Sequence, residues 1–436
     1  MGRGNCEGEG REGVIARYTD RETGKARGRA TMTDASGSTS TGGIYDDAAE
    51  ARHLALREQF LIRPDVTFLN HGSFGACPRP VFERYQSWQL ELERQPVEFI
   101  GRRSQELLRE ARTALSGYLS CDPDEIVYSQ NVTTALNIVA RSLPLKAGDE
   151  ILTTDHEYGA LERTWRFLCE KTGAKVMERE LPLPLDDPDE VVEAVMAGVT
   201  PRTRVLFLSH ITSPTAVILP IEKLIAKARE AGIWTVIDGA HAPGQVPVDL
   251  HALGVDFYGG NCHKWLCSPK GAGFLYARRE VQHLLEPLVV SWGWQARDPS
   301  PSRFIDEHER QATRDFSAYL SVPAAIEFQA ANDWDRVRDE CHELARWTAA
   351  EVAELTGLPA LSTDSPDWYA QMVTMPVPPG DQAGLKIRLY DEFKIEIPVV
   401  TWRDQRFVRI SVQGYNTRAD ASRLVDALAE ILRSER

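Results

Sequence analysis

No apolar run in this chain approaches the ~20 residues that a membrane-spanning helix needs. The seven cysteines are odd in number, scattered and never in CxxC spacing, which argues against a disulfide framework or a cysteine zinc site. They read as reduced thiols of a cytoplasmic protein. No two histidines are spaced as His-x(1–4)-His, so no metal site is expected. No Gly-x-Gly-x-x-Gly follows an early strand, which removes a nicotinamide-dependent dinucleotide fold. Positive charge is in deficit: 50 Lys and Arg face 64 Asp and Glu, a net charge of -14, and this speaks against a general nucleic-acid binder.

What is present is the composition of an ordinary globular protein, 42% hydrophobic and 26% charged. Its 436 residues exceed what one core usually fills, so two domains are expected. Residues 1–44 stand apart. The first 31 hold seven Gly, seven Lys or Arg and five Asp or Glu, with Tyr18 the single aromatic. Such a segment buries too little apolar surface to offset its ordering entropy, and is expected to be a disordered extension, with Met32 an alternative initiator.

From residue 80 to 290, strand and helix patterns alternate. Strands are predicted at Ile126–Tyr128, Glu150–Thr153, Val176–Glu178, Arg204–Leu208, and in the runs ending at Asp238 and Gly260. Helices are predicted over 103–119, 133–140, 160–172, 189–197 and 221–231. This α/β order implies a mostly parallel sheet with helices on both faces, in a large domain over 76–310. Beyond 310 the pattern becomes helices at 322–329 and 334–355, strands at 371–375 and 408–411, and a last helix over 419–432. These are read as a smaller α+β C-terminal domain, 311–436, on which the segment 45–75 packs.

Ligands of such sheets sit beyond the carboxyl ends of the strands. Several polar clusters fall there. His263-Lys264 closes the run Val255-Asp256-Phe257-Tyr258-Gly259-Gly260-Asn261-Cys262, and Asp238 closes Ile233-Trp234-Thr235-Val236-Ile237. A desolvated amine and a buried carboxylate on neighbouring strand ends suit pyridoxal 5'-phosphate (PLP), whose aldehyde needs an amine and whose ring nitrogen needs an anion. Lys264 is therefore the candidate Schiff-base lysine; the bland alternative is a surface lysine. Asp238 is the candidate partner of the ring nitrogen, or else an aspartate that caps the next helix. His241 could reach the phenolic oxygen of the cofactor. Thr133 and Thr134 open a helix whose free N–H groups suit phosphate, or simply cap it. His156 could stack on the pyridine ring, and Tyr158 is a candidate acid or base or a packed loop residue. Arg409, alone in the apolar strand Phe407-Val408-Arg409-Ile410, could clamp a substrate carboxylate or sit in a structural ion pair.

With these marks, the chain resembles the class V aminotransferase family of fold-type I PLP enzymes, and within it the isopenicillin N epimerase-like branch. The resemblance spans about 60–432. It rests on Phe68-Leu69-Asn70-His71-Gly72-Ser73-Phe74-Gly75, Asn131-Val132-Thr133-Thr134-Ala135-Leu136-Asn137, Asp238-Gly239-Ala240-His241, His263-Lys264, Ala312-Thr313-Arg314-Asp315 and Arg409-Ile410-Ser411. It implies a seven-stranded sheet and a homodimer. It implies that Lys264 carries the cofactor, Asp238 pairs with its ring nitrogen, and His156 stacks on it. Thr134 and His263 would hold phosphate, with Thr313 reaching in from the neighbouring subunit. Arg409 would bind the substrate carboxylate, with Asn70 and His71 near the substrate. Asn261 and Ser213 stand near the cofactor where related cysteine desulfurases carry serine and asparagine, and no cysteine occupies a mobile loop of the kind those enzymes use.

The resemblance implies an enzyme acting at Cα of an amino acid. Epimerisation, with His71 or Tyr158 as the second acid, is the leading expectation. Loss of a β-substituent, as in a C–S lyase of the cysteine desulfhydrase or sulfoxide lyase type, and transamination are the alternatives, and a binding protein that lost turnover is the non-enzyme alternative.

Overall fold

The computed structural model describes residues 44–435. The expected disordered extension and the alternative initiator Met32 lie outside the described residues, apart from Ile44. The strands are β1 Thr67–Phe68, β2 Ile126–Ser129, β3 Glu150–Thr154, β4 Lys175–Arg179, β5 Thr203–Ser209, β6 Trp234–Gly239, β7 Phe257–Asn261, β8 Gly273–Ala277, β9 Met372–Val377, β10 Ile395–Glu396, β11 Val399–Trp402 and β12 Gln405–Ser411. Seven of them form one sheet in the order β2-β8-β7-β6-β5-β3-β4. Only β8 runs against its neighbours; the other pairings are parallel.

Strands buried on both faces read as continuous apolar runs, and β5 shows why. Val205 and Phe207 point to one face, where they join Leu161, Trp165 and Val139 of the helices Gly159–Thr172 and Val132–Ser142. Leu206 and Leu208 point to the other, against Val191 and Leu224 of the helices Pro188–Met196 and Ile221–Glu230. The period of two thus splits one strand between two cores. Local chemistry sets the helix ends. Asn131 accepts from the N–H of Thr134 at the start of Val132–Ser142, and Gly173, at φ 78°, ends Gly159–Thr172 in the left-handed conformation.

A three-stranded antiparallel sheet, β11-β12-β9, packs against the long helix Trp334–Thr356, which in turn meets the C-terminal helix Arg418–Ser434. The N-terminal segment joins these later elements. β1 pairs in parallel with β10, His53 Nδ1–H donates to the carbonyl of Asn416 at 2.7 Å, and Arg57 pairs with Asp420 at 2.6 Å. Among the described residues, the helices of seven or more residues that the sequence did not reveal are Asp47–Arg57, Arg79–Arg94, Arg303–Glu309 and Gln382–Asp391. In the second, only Val81 is buried, so it carries almost no apolar stripe to read. No helix among the described residues is long and apolar enough to cross a membrane, and no cluster of three or more potential metal ligands occurs among them.

Candidate active site

Parallel register levels the chemistry at one sheet edge. Ser209 of β5 stands opposite Asp238 of β6, and Asp238 opposite Gly259 of β7. Beyond Gly259, β7 runs on to Asn261, and Lys264 follows three residues later. Above this edge lies a cavity of about 610 Å³ whose walls include Lys264, Asp238, His241, His263, Asn261, Ser213, Thr133 and Tyr158. Eight of the residues singled out in the sequence therefore converge on one space.

Lys264 is half-buried. Burial lowers its affinity for a proton, Arg409 adds repulsion, and Asp238 works the other way. Asp238 is 2% exposed and accepts from the N–H of Ala240 at 2.8 Å; burial raises its pKa, opposed by that bond and by Lys264. His241 Nε2 lies 3.0 Å from Lys264 Nζ, and burial drives its pKa well down. His263 donates from Nδ1 to the carbonyl of Ala272 at 2.9 Å, which leaves Nε2 as an acceptor; burial lowers its pKa to about 4.

At the far end of the same wall is the N-terminus of the helix Val132–Ser142. Asn261 Oδ1 accepts from the N–H of Val132 at 2.9 Å, and Asn131 Oδ1 accepts from that of Thr134, also at 2.9 Å. Between them, the N–H of Thr133 has no partner among the described residues. Of the threonine pair, Thr133 lines the cavity and Thr134 does not. An unpaired helix N-terminal donor, an amine and a buried carboxylate along one wall fit the phosphate, aldehyde and ring nitrogen of PLP.

Several residues depart from their expected places. His156 is absent from the cavity wall. Its Nδ1 pairs with Thr215 Oγ1 at 2.7 Å and its ring lies 4.4 Å from that of Trp402. Tyr158, two residues on, is 42% exposed and lines the cavity. His71 is sealed behind the lysine: Nε2–H donates to the Lys264 carbonyl at 2.9 Å and Nδ1 meets the Tyr415 hydroxyl at 2.9 Å. Both nitrogens are engaged, burial pushes its pKa down to about 3, and it is not among the residues that line the cavity. Asn70 is held by Glu396 at 3.1 Å, also outside the cavity. Arg409 lines an adjoining recess of about 310 Å³ with Glu157, and Tyr158 and Ser213 border both spaces. Its guanidinium donates to the carbonyl of Ser213, and its Nε is buried without a partner. Thr313 is exposed and off the wall, while its neighbours Arg314 and Asp315 are on it.

Arg314, Asp315, Gln130, Lys270 and Tyr319 are wall residues that sequence reasoning did not assign. The motif Ala312-Thr313-Arg314-Asp315 was the available signal for two of them. Gly75 adopts φ +71°, and a Cβ there would lie 2.0 Å from the His263 carbonyl oxygen. Glycine is thus required where the N-terminal segment crosses behind the His-Lys pair.

The aminotransferase class-V family profile matches residues 77–424. The isopenicillin N epimerase of Amycolatopsis lactamdurans is 41% identical, covering 86% of this chain and 97% of its own. That of Streptomyces clavuligerus is 37% identical over 85% of this chain and 96% of its own. The L-cysteine desulfhydrase of Arabidopsis thaliana is 29% identical over 85% and 88%. Among solved structures, a C-DES mutant with glycine covalently linked to its PLP cofactor has the same fold, at TM-score 0.75 and 23% identity over 86% of this chain and 99% of that one. With the matched profile spanning most of its length and the epimerases this similar, the chain belongs to the class-V aminotransferase family.

Proposed function

We propose that this protein is a PLP-dependent epimerase that inverts Cα of an amino-acid substrate of the isopenicillin N kind. The observation that carries the reading is Lys264 Nζ, desolvated in the cavity with Asp238 on the adjacent strand end. Similarity to two isopenicillin N epimerases selects among the reactions such a pair can serve.

Bound in this cavity, PLP supplies an electron sink for negative charge at Cα. The chain's own residues do the rest. Lys264 would hold the cofactor through its amine and would serve as the base toward the Cα proton of a bound substrate. Asp238 holds the proton on the ring nitrogen. The Thr133 N–H would hold the phosphate, joined by His263 once the bound anion has drawn a proton onto its Nε2, with Thr313 contributed across a homodimer interface. His241 serves the ring oxygen, and Asn261 and Ser213 fix the walls around it. Arg409 takes the substrate carboxylate through the recess it lines. Inversion requires a second protic group, and Tyr158 is the exposed wall residue available for it. The six free cysteines among the described residues suit the cytoplasm.

C–S bond cleavage is the second reading, favoured by desulfhydrase relatives near 30% identity over 84% of this chain. A panel of L- and D-amino acids and cysteine conjugates in deuterated water separates the outcomes. Deuterium at Cα with inversion supports the proposal. Pyruvate with ammonia replaces it with a lyase, and keto acid with the aminated cofactor replaces it with a transaminase. Lys264→Ala should abolish turnover, and an unchanged rate refutes the whole reading.

A further inference from the structure

Trp265 follows Lys264 and is fully buried. Its indole N–H donates to Nδ1 of His241 at 3.2 Å, and the other nitrogen of the same ring, Nε2, lies 3.0 Å from Lys264 Nζ. An indole can only donate. Nδ1 of His241 must therefore be the acceptor, and in a neutral ring the proton stands on Nε2, aimed at the lysine. Burial, with repulsion from the Arg409 guanidinium, keeps the ring neutral.

We propose that Trp265 is a positioning residue that fixes the tautomer of His241, so that Lys264 meets a hydrogen-bond donor and is held in its neutral, nucleophilic form. The proposal rests on the reading of Lys264 as the reactive amine. A donor facing the nitrogen is compatible with a free lone pair and opposes an ammonium. Were the proton on Nδ1, Nε2 would accept from the ammonium and stabilise it. The other groups acting on this nitrogen are Asp238 from the end of β6, which favours the charged form, and Arg409 from β12, which disfavours it.

The indole is rigidly placed for this task. Its backbone carbonyl accepts from Gln329 Nε2 at 2.8 Å, and its ring lies 5.0 Å from that of His71. Gly244, at φ +93°, passes so near that a Cβ would sit 2.3 Å from the Trp265 carbonyl carbon.

The test replaces Trp265 by 3-benzothienylalanine, introduced at a stop codon in the full-length protein and purified with its cofactor. Sulfur takes the place of N–H while the ring shape is kept. The first readout is the nitrogen-15 spectrum of ring-labelled histidine, with His241 assigned through His241→Gln. The second is the pH midpoint of the visible absorbance of the resting, cofactor-bound protein. In the natural protein Nδ1 should resonate as unprotonated and Nε2 as protonated. In the variant the proton should be shared between them, and the midpoint should rise by about one pH unit, the worth of one hydrogen bond. A proton on Nδ1 in the natural protein, or either readout unchanged in the variant, overturns the proposal. Absence of any visible band in both proteins would refute the role of Lys264 instead, and the nitrogen spectra alone would then decide that of Trp265.

Discussion

Asn261, the last residue of β7, accepts a hydrogen bond at 2.9 Å from the N–H of Val132, the first residue of the helix that follows β2. One side chain thereby ties the strand that leads to Lys264 to the helix end that presents the free N–H of Thr133. The separation between the amine and the anion-binding donor is set by that tie.

Removing it should loosen the site. Asn261→Ala leaves a buried N–H unpaired, which costs about 1–3 kcal/mol. Urea unfolding should show that loss, and dialysis should show faster escape of the cofactor. A variant as stable and as retentive as the natural protein would show that the tie does not set this spacing.

Tyr158→Phe should separate proton removal from inversion. It deletes the hydroxyl proposed as the second acid while keeping the ring on the wall. Inversion should fall by ~10²-fold or more, with deuterium still entering the unaltered isomer. His156→Gln should leave that ratio untouched, because its ring pairs with Thr215 and packs on Trp402 away from the cavity. Equal loss in both variants would refute the assignment to Tyr158.

Arg409→Lys should raise KM for amino-acid substrates on the order of tenfold or more, since charge-assisted hydrogen bonds are lost with the fork. Amines lacking a carboxylate should be indifferent to the change. Similar KM effects on both classes would mean that Arg409 serves the wall and not the substrate.

Glu157 connects the site to stability. Its carboxyl accepts from the Ser209 N–H at 2.8 Å, from Ser209 Oγ at 2.6 Å and from Thr154 Oγ1 at 2.7 Å. Burial nonetheless outweighs these bonds and pushes its pKa up from 4.5 to about 8. Folded protein therefore binds more protons than unfolded chain between those values, and stability from this group is full below about 4.5 and lost as pH rises through about 8. Glu157→Gln should flatten the decline, which is at most ~1.4 kcal/mol per pH unit. Urea midpoints at acid and alkaline pH test this, and parallel pH profiles for both proteins would contradict it.

The sequence by itself determined the order of strands and helices, because short apolar runs, such as Val205–Leu208, announce strands buried on both faces. It also determined which residues lie at strand ends, and hence Lys264, Asp238, His241, His263 and Thr133, since position along a strand is a local property. It could not give side-chain direction within turns. His156 and Tyr158 are separated by one residue, and only the presence of Trp402 and Thr215 from distant parts of the chain draws the first inward and leaves the second on the wall. Nor could it show that His71 lies behind Lys264, or that Trp265 meets His241. Those contacts join segments 193 and 24 positions apart, and their geometry exists only once parallel register and the crossing at Gly75 have brought the backbones together.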